Sequence, residues 1–214
     1  LQKKLNFFNP LKYIYFLEQV LVKKYEKKIA NFFNKIIFVS GNDSKYFFIG
    51  NKNKKKIQII TNGTDLKKKR YKFRTENNDI IFIGNINYLP NKLACYDFIK
   101  KIMPKLEMEG LNINFKIIGQ ASSTLKFFLT RYKNVEVHNN VLSIEKLCKN
   151  AVCGISNLSV ATGVQNKIME YMRIGLPTIV SEKCFDNLRF VKSKDLLVYK
   201  NEKDFVQKII KLKK

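Results

Sequence analysis

The chain has a single histidine, His138, and four cysteines: Cys95, Cys148, Cys153 and Cys184. No two of the cysteines form a C-x-x-C pair, and none has a histidine cluster beside it. That pattern argues against a metal site or a disulfide framework and for buried thiols in a reducing cytoplasm. His138 falls in "NVEVHN", an apparent strand, where a structural role is the expectation. No window approaches the roughly 18 consecutive apolar residues of a membrane span. The opening stretch "LQKKLNFFNPLKYIYFLEQV" also lacks the apolar run and small-residue cleavage site of a signal peptide. It begins with Leu1, which suggests a piece of a longer chain. Acids are scarce as well: 17 Asp and Glu stand against 41 Lys and Arg, a formal charge of +24 over 214 residues.

Such a charge has three readings. A basic face is the footprint of nucleic-acid binding. It also suits docking on an anionic membrane surface. A lysine-rich bias of the sort an AT-rich genome imposes is the third. The lysines are spread along the whole chain, and no zinc-finger, RNP or KH pattern is present. Specific nucleic-acid recognition is therefore not expected, and charge alone leaves function open. With 45% hydrophobic and 13% aromatic residues, the chain has enough apolar matter for a sizeable core.

Residues 11–34 place apolar side chains at helical spacing and predict a long amphipathic helix. "KIIFVS" (35–40) reads as a short buried strand, "GNDSKYFFIG" as a short helix and "IQIIT" as a second strand. A polar stretch then suits a linker. From residue 80 short apolar strands alternate with amphipathic helices: "IIFIG", "NFKIIG", "NVEVH", "AVCGIS", "PTIVS" and "LLVY". This order predicts an α/β fold, a Rossmann-like parallel sheet covered by helices on both faces. The expected divisions are 1–61, a 62–78 hinge, and a 79–214 ligand-binding domain.

In such sheets ligands sit beyond the carboxyl ends of the strands. Attention falls on "TGVQNKIMEYMRIGLPTIVS" (162–181), a helix followed by a strand. Thr162 reads as an N-cap and Gly163 as the first helical residue, with Gly175 ending the helix and Pro177 just beyond. The first turn carries a cation, Lys167, where the helix dipole disfavours one. A helical wheel groups Gly163, Asn166, Lys167 and Glu170 in one narrow polar stripe. A surface pair between Lys167 and Glu170 would contribute about 0.2–0.5 kcal/mol, but in the wrong order for the dipole. A bound anion removes the conflict. Amides of Gly163, Val164 and Gln165 would hold a phosphate, Lys167 would add a charge-assisted bond, and Glu170 would accept ribose hydroxyls.

These residues resemble the donor-site signature of family 4 retaining glycosyltransferases, which have the two-domain GT-B fold. The branch reading Gly-(Ile/Val)-Gln-Asn-Lys-x-x-Glu followed by Gly-x-Pro is the most similar. "IFVSGNDSKYF", "IITNGTDL" and "IIFIGNINYLPNKLACYDFIKKIMPKL" extend the resemblance in the same order. It implies a remnant of an acceptor domain over 1–61 and a nucleotide-sugar domain after the hinge. It also implies retaining transfer of a sugar to a saccharide or lipid-linked acceptor in envelope polysaccharide synthesis. The site it implies contains Gly84, Asn85, Asn139, Val141, Thr162, Gly163, Val164, Gln165, Asn166, Lys167 and Glu170, with Lys167 and Glu170 central to catalysis. Thr162 stands where many relatives have an acid near the donor sugar. "GNINYLPN" lacks their basic pair, so either Lys167 carries more of the phosphate charge or Lys92 helps. No metal or other cofactor is expected. The expected location is the cytoplasm, at most peripheral to an anionic inner membrane face, with a separate N-terminal domain completing the enzyme. The alternative is a catalytically inactive basic module that contacts membrane or nucleic acid.

Overall fold

The computed structural model describes residues 10–47, 54–65, 71–159, 161, 163–186, 188 and 195–214, the side chain of Tyr46 excepted. The chain divides into two compact units, Leu1–Thr61 and Asn62–Lys214.

The first unit holds the long helix α1 (Pro10–Phe32), the strand β1 (Ile36–Phe38), the short helix α2 (Gly41–Phe47) and the strand β2 (Ile57–Ile59). β1 and β2 pair in parallel, with Ile36 opposite Ile57. Ser40 starts α2 by accepting from the Asn42 N–H at 3.2 Å through its hydroxyl. The expected burial of the first strand is not found. Ile37 is 59% exposed, because a two-stranded sheet covers little of its own surface. α1 is helical where the periodicity places it, yet Ala30 is its buried residue.

The second unit is a six-stranded, wholly parallel sheet. Its strands are β3 (Asp79–Ile83), β4 (Asn114–Ile118), β5 (Val135–His138), β6 (Ala151–Ser156), β7 (Thr178–Ser181) and β8 (Leu197–Tyr199). Their spatial order is β5-β4-β3-β6-β7-β8. The chain therefore winds one way from β3 to β5 and the other way from β6 to β8, and the order reverses between β3 and β6. The crossovers carry α3 (Leu89–Asp97), α4 (Met103–Met108), α5 (Ser123–Thr130), α6 (Ile144–Leu147), α7 (Asn166–Ile174) and α8 (Glu182–Phe185), and α9 (Glu202–Lys213) closes the unit.

Alternate residues of β3 feed two cores. Ile80 and Phe82 join Phe98, Phe115, Leu129 and Phe205 on one face. Ile81 meets Tyr171, Ile174 and Leu176 on the other. Phe98 lies between Phe115, 4.3 Å away between ring centres, and Phe205, at 5.7 Å. Between α3 and α4 lies a wide turn, Phe98–Ile102, where the Met103 N–H reaches back to the Phe98 carbonyl. Pro104 explains it: proline has no N–H to give and crowds the preceding turn, so the helix widens and restarts.

The expected hinge, 62–78, falls within this unit, and Tyr71 ties it to the sheet. The Tyr71 N–H donates to the Ile174 carbonyl at 3.0 Å, and its hydroxyl donates to the Ala151 carbonyl. Among the described residues no helix is long and apolar enough to cross a membrane.

Candidate functional site

The strand order reverses between β3 and β6, the place where open α/β sheets hold a ligand beyond the carboxyl ends of their strands. The β3–β6 ladder runs no further than Ile81 opposite Gly154, after which the strands part. Tyr171 of α7 fills the opening. Its hydroxyl accepts from the Ile83 N–H at 2.8 Å and reaches the Ile155 carbonyl at 3.1 Å and the Ile81 carbonyl at 3.2 Å. A Cβ at residue 154 would lie 2.4 Å from the Tyr171 ring, so only glycine admits it.

Above this plug β3 turns through Gly84. A Cβ there would lie 2.9 Å from the Asn91 amide nitrogen and 3.3 Å from Lys167 Nζ. The neighbouring turn after β4 is packed against it, since a Cβ on Gly119 would meet the Gly84 carbonyl oxygen at 2.0 Å. Gly119 is thus required by close approach of backbones, whereas Gly84 is crowded by side-chain ends.

Lys167 comes up from α7 beneath the Gly84 turn. It is 8% exposed. Its ammonium donates to Asn91 Oδ1 at 2.9 Å and stands 3.6 Å from the centre of the Phe82 ring, a cation–π contact. Asn91 in turn donates from Nδ2 to the Asn85 carbonyl at 2.9 Å. Among the described residues no carboxylate pairs with Lys167. Burial lowers its pKa from 10.5 to about 8, offset in part by the Cys95 and Cys184 thiols.

The helix begins later than the sequence suggests. α7 opens at Asn166, with Gln165 at the N-cap and no side-chain cap bond. Gly163 lies before it in a left-handed bend at φ 65°, and Gly163 and Val164 are buried. A residue at that φ cannot continue a right-handed helix, so Gly163 does not start one. Thr162 lies outside the described residues. Asn166 is exposed and accepts from Asn62 Nδ2 at 2.7 Å through Oδ1. The C-terminus matches expectation, with Gly175 in the left-handed conformation at φ 84°.

The single polar stripe is also corrected. Lys167 turns toward the sheet with Ile168, Met169 and Tyr171, whereas Met172 is exposed. Glu170 is half-buried and pairs with Arg173, not with Lys167. Arg173 Nε donates to Glu170 Oε2 at 3.1 Å, Nη2 donates to Oε1, and Nη2 also donates to Glu145 Oε1 at 3.0 Å. Placing the acid N-terminal to the base suits the dipole, which the pairing with Lys167 would not.

The other expected site residues lie along the same rim. Asn85 is exposed and caps the Asn87 N–H at 3.0 Å through Oδ1. Asn139 follows β5; its Nδ2 donates to the Ala121 carbonyl at 2.8 Å, and its buried Oδ1 has no hydrogen-bond partner. Val141 packs against the second core. Lys92 is half-buried at the start of α3. His138 meets Glu136 at 2.8 Å on β5, and all four cysteines are buried free thiols. Among the described residues no cluster of three or more His, Cys, Asp or Glu is placed to hold a metal ion.

A cleft of about 270 Å³ opens elsewhere on this edge, lined by Asp97, Lys101, Asn157, Tyr199 and Glu202 among others. Its lining includes neither Lys167 nor Glu170, and its Lys101 is already paired with Asp97 at 2.7 Å. Sequence reading missed Asn91, Arg173 and Tyr171. Of these, Arg173 alone left a signal, as the base three residues beyond Glu170.

The family described as glycosyl transferases group 1 matches residues 77–214. TarM of S. aureus is structurally similar, with TM-score 0.70 and 17% identity over 89% of this chain and 39% of its own. HepE of Anabaena, solved with UDP and glucose, gives TM-score 0.67 and 13% identity over 87% of this chain and 56% of its own. WaaG, a glycosyltransferase involved in lipopolysaccharide biosynthesis, gives 0.61 and 12% over 84% and 53%. The chain therefore spans about two-fifths to just over half of these structures. At such identities the likeness establishes the fold. Comparison with curated protein sequences gives no significant match.

Proposed function

This chain belongs to the group 1 glycosyl transferases, and from that premise we propose that its second unit binds the diphosphate of a nucleotide sugar and serves sugar transfer from it. The observation that carries the reading is the ammonium of Lys167. It is buried where the strand order reverses, under a glycine turn, with a neutral amide as its partner. An incoming diphosphate supplies the missing counter-charge. As the glycosidic bond to the nucleotide breaks, negative charge grows on the departing diphosphate, and a prearranged cation stabilises that growth.

In this reading Gly84 and Asn85 approach the phosphates from the β3 side, and the α7 tip does so from the β6 side. Glu170 faces the ribose, with Arg173 holding its carboxylate. Asn139 and Val141 flank the base, where the unpartnered Asn139 Oδ1 can accept a hydrogen bond. Lys167, and not a bound metal ion, is taken as the counter-charge. We further assign retention of anomeric configuration and an acceptor that is a saccharide or a lipid-linked sugar. The setting is cytoplasmic synthesis of envelope polysaccharide. That setting is supported by likeness to WaaG, and a uridine diphosphate ligand by likeness to HepE.

Calorimetric titration of the protein with UDP and with GDP tests the binding step. Saturable binding of one, lost in Lys167→Met, is the expected result. No heat with either nucleotide would remove the site.

A further inference from the structure

We propose that Asn91 is the positioning residue of this site: a neutral amide that holds the Lys167 ammonium beneath the Gly84–Asn85 turn while leaving its charge unanswered. The inference rests on the diphosphate reading and adds a residue that neither the signature helix nor the family match singles out.

The geometry is a relay. Lys167 Nζ donates to Asn91 Oδ1 at 2.9 Å, and Asn91 Nδ2 donates to the Asn85 carbonyl at 2.9 Å. One side chain thus ties α7 to the turn after β3, across the reversal of strand order. Both ends of the Asn91 amide are used, and the residue is 8% exposed, so its orientation is fixed. It packs on the turn as well, since a Cβ on Gly84 would lie 2.9 Å from Asn91 Nδ2.

Charge explains why an amide serves here. A carboxylate in the same place would neutralise Lys167 and repel phosphate. An apolar side chain would leave the ammonium without an acceptor, and burial would drive it toward the neutral amine. An amide accepts one hydrogen bond and carries no net charge. It orients the cation and leaves its field for a ligand.

The other groups facing Lys167 do not duplicate this role. They are the Phe82 ring on β3, the Cys95 thiol on α3 and the Cys184 thiol on α8. Cys95 is held protonated, its pKa pushed up to about 12 by burial.

The experiment compares wild type, Asn91→Asp and Asn91→Leu by UDP titration from about pH 7 to about pH 9.5, a range above the titration of phosphate and across that of Lys167. Both variants lose the bond to the Asn85 carbonyl, so the difference between them reads the partner of Lys167. Wild-type affinity is expected to fall as pH rises through about 8. In Asn91→Asp the fall moves to higher pH, and affinity at neutral pH drops about tenfold or more. In Asn91→Leu the fall moves to lower pH.

Thermal melts of each variant accompany the titrations, and if Asn91→Asp does not fold, the direction of the Leu shift alone decides. Breaks that stay at the wild-type pH, or move the same way in both variants, overturn the proposal. A wild type that binds no nucleotide overturns the diphosphate reading instead.

Discussion

Lys167 Nζ stands 3.6 Å from the centre of the Phe82 ring, at the place where β3 and β6 part company. A cation in that position is costly to the empty protein and useful to a liganded one. The balance between those two states governs both stability and binding.

Lys167→Met is expected to stabilise the ligand-free fold while abolishing UDP binding. The folded pKa of about 8 lies below the unfolded value near 10.5. Between those pH values the unfolded lysine keeps a proton that the folded one has shed. Wild-type stability from this group therefore rises from about pH 8 to about pH 10.5 and is lowest below that window. The difference amounts to roughly 3 kcal/mol at neutral pH. Urea unfolding of wild type and mutant at several pH values measures it as their gap, which cancels the thiols that titrate in the same range. A mutant less stable than wild type at neutral pH contradicts the account.

Glu170→Ala should weaken UDP binding by about 1.5–3 kcal/mol, the loss of hydrogen bonds to a charged group. Arg173→Ala acts differently. It removes the cation that bridges Glu145 and Glu170 and should lower stability by roughly 1–2 kcal/mol, with Glu145→Gln restoring part of the loss. Denaturation midpoints of the single and double variants give the coupling. Additive effects would show that the three side chains do not act as a group.

Tyr171→Phe removes one oxygen and leaves the Ile83 N–H unpaired between parting strands. The expected cost is about 1–3 kcal/mol, read from chemical denaturation. A change below about 0.5 kcal/mol, within the scatter of a surface substitution, would mean that the strands close up without it.

The strands of the second unit could be read from sequence because most are short apolar runs bounded by turn residues, while the edge strand β5, Val-Glu-Val-His, alternates. A parallel sheet covered on both faces demands such runs. The break in the helix before Pro104 could not be placed, since the proline marks a disturbance and not which turn widens. Thr162 and Gly163 have the composition of a helix start, yet Gly163 uses its freedom for a left-handed bend instead. The burial of Lys167 was hidden for another reason. A helical wheel knows the face a residue occupies, but not that β3 and β6, some seventy positions apart in the chain, diverge above it. Glu170 and Lys167 stand out in the sequence as the unusual pair of the helix; their separate partners, Arg173 and Asn91, are set by packing.

The four buried thiols give the molecule a built-in stopwatch. A thiol-reactive dye can label Cys95, Cys148, Cys153 or Cys184 only while the surrounding layer is open, so the speed of colour change clocks breathing of the interior. Cys95 and Cys184 face the lysine, whereas Cys148 sits in the opposite core. A nucleotide seated over Lys167 should slow the first two clocks more than the third, turning an incidental set of sulfurs into a local gauge of occupancy.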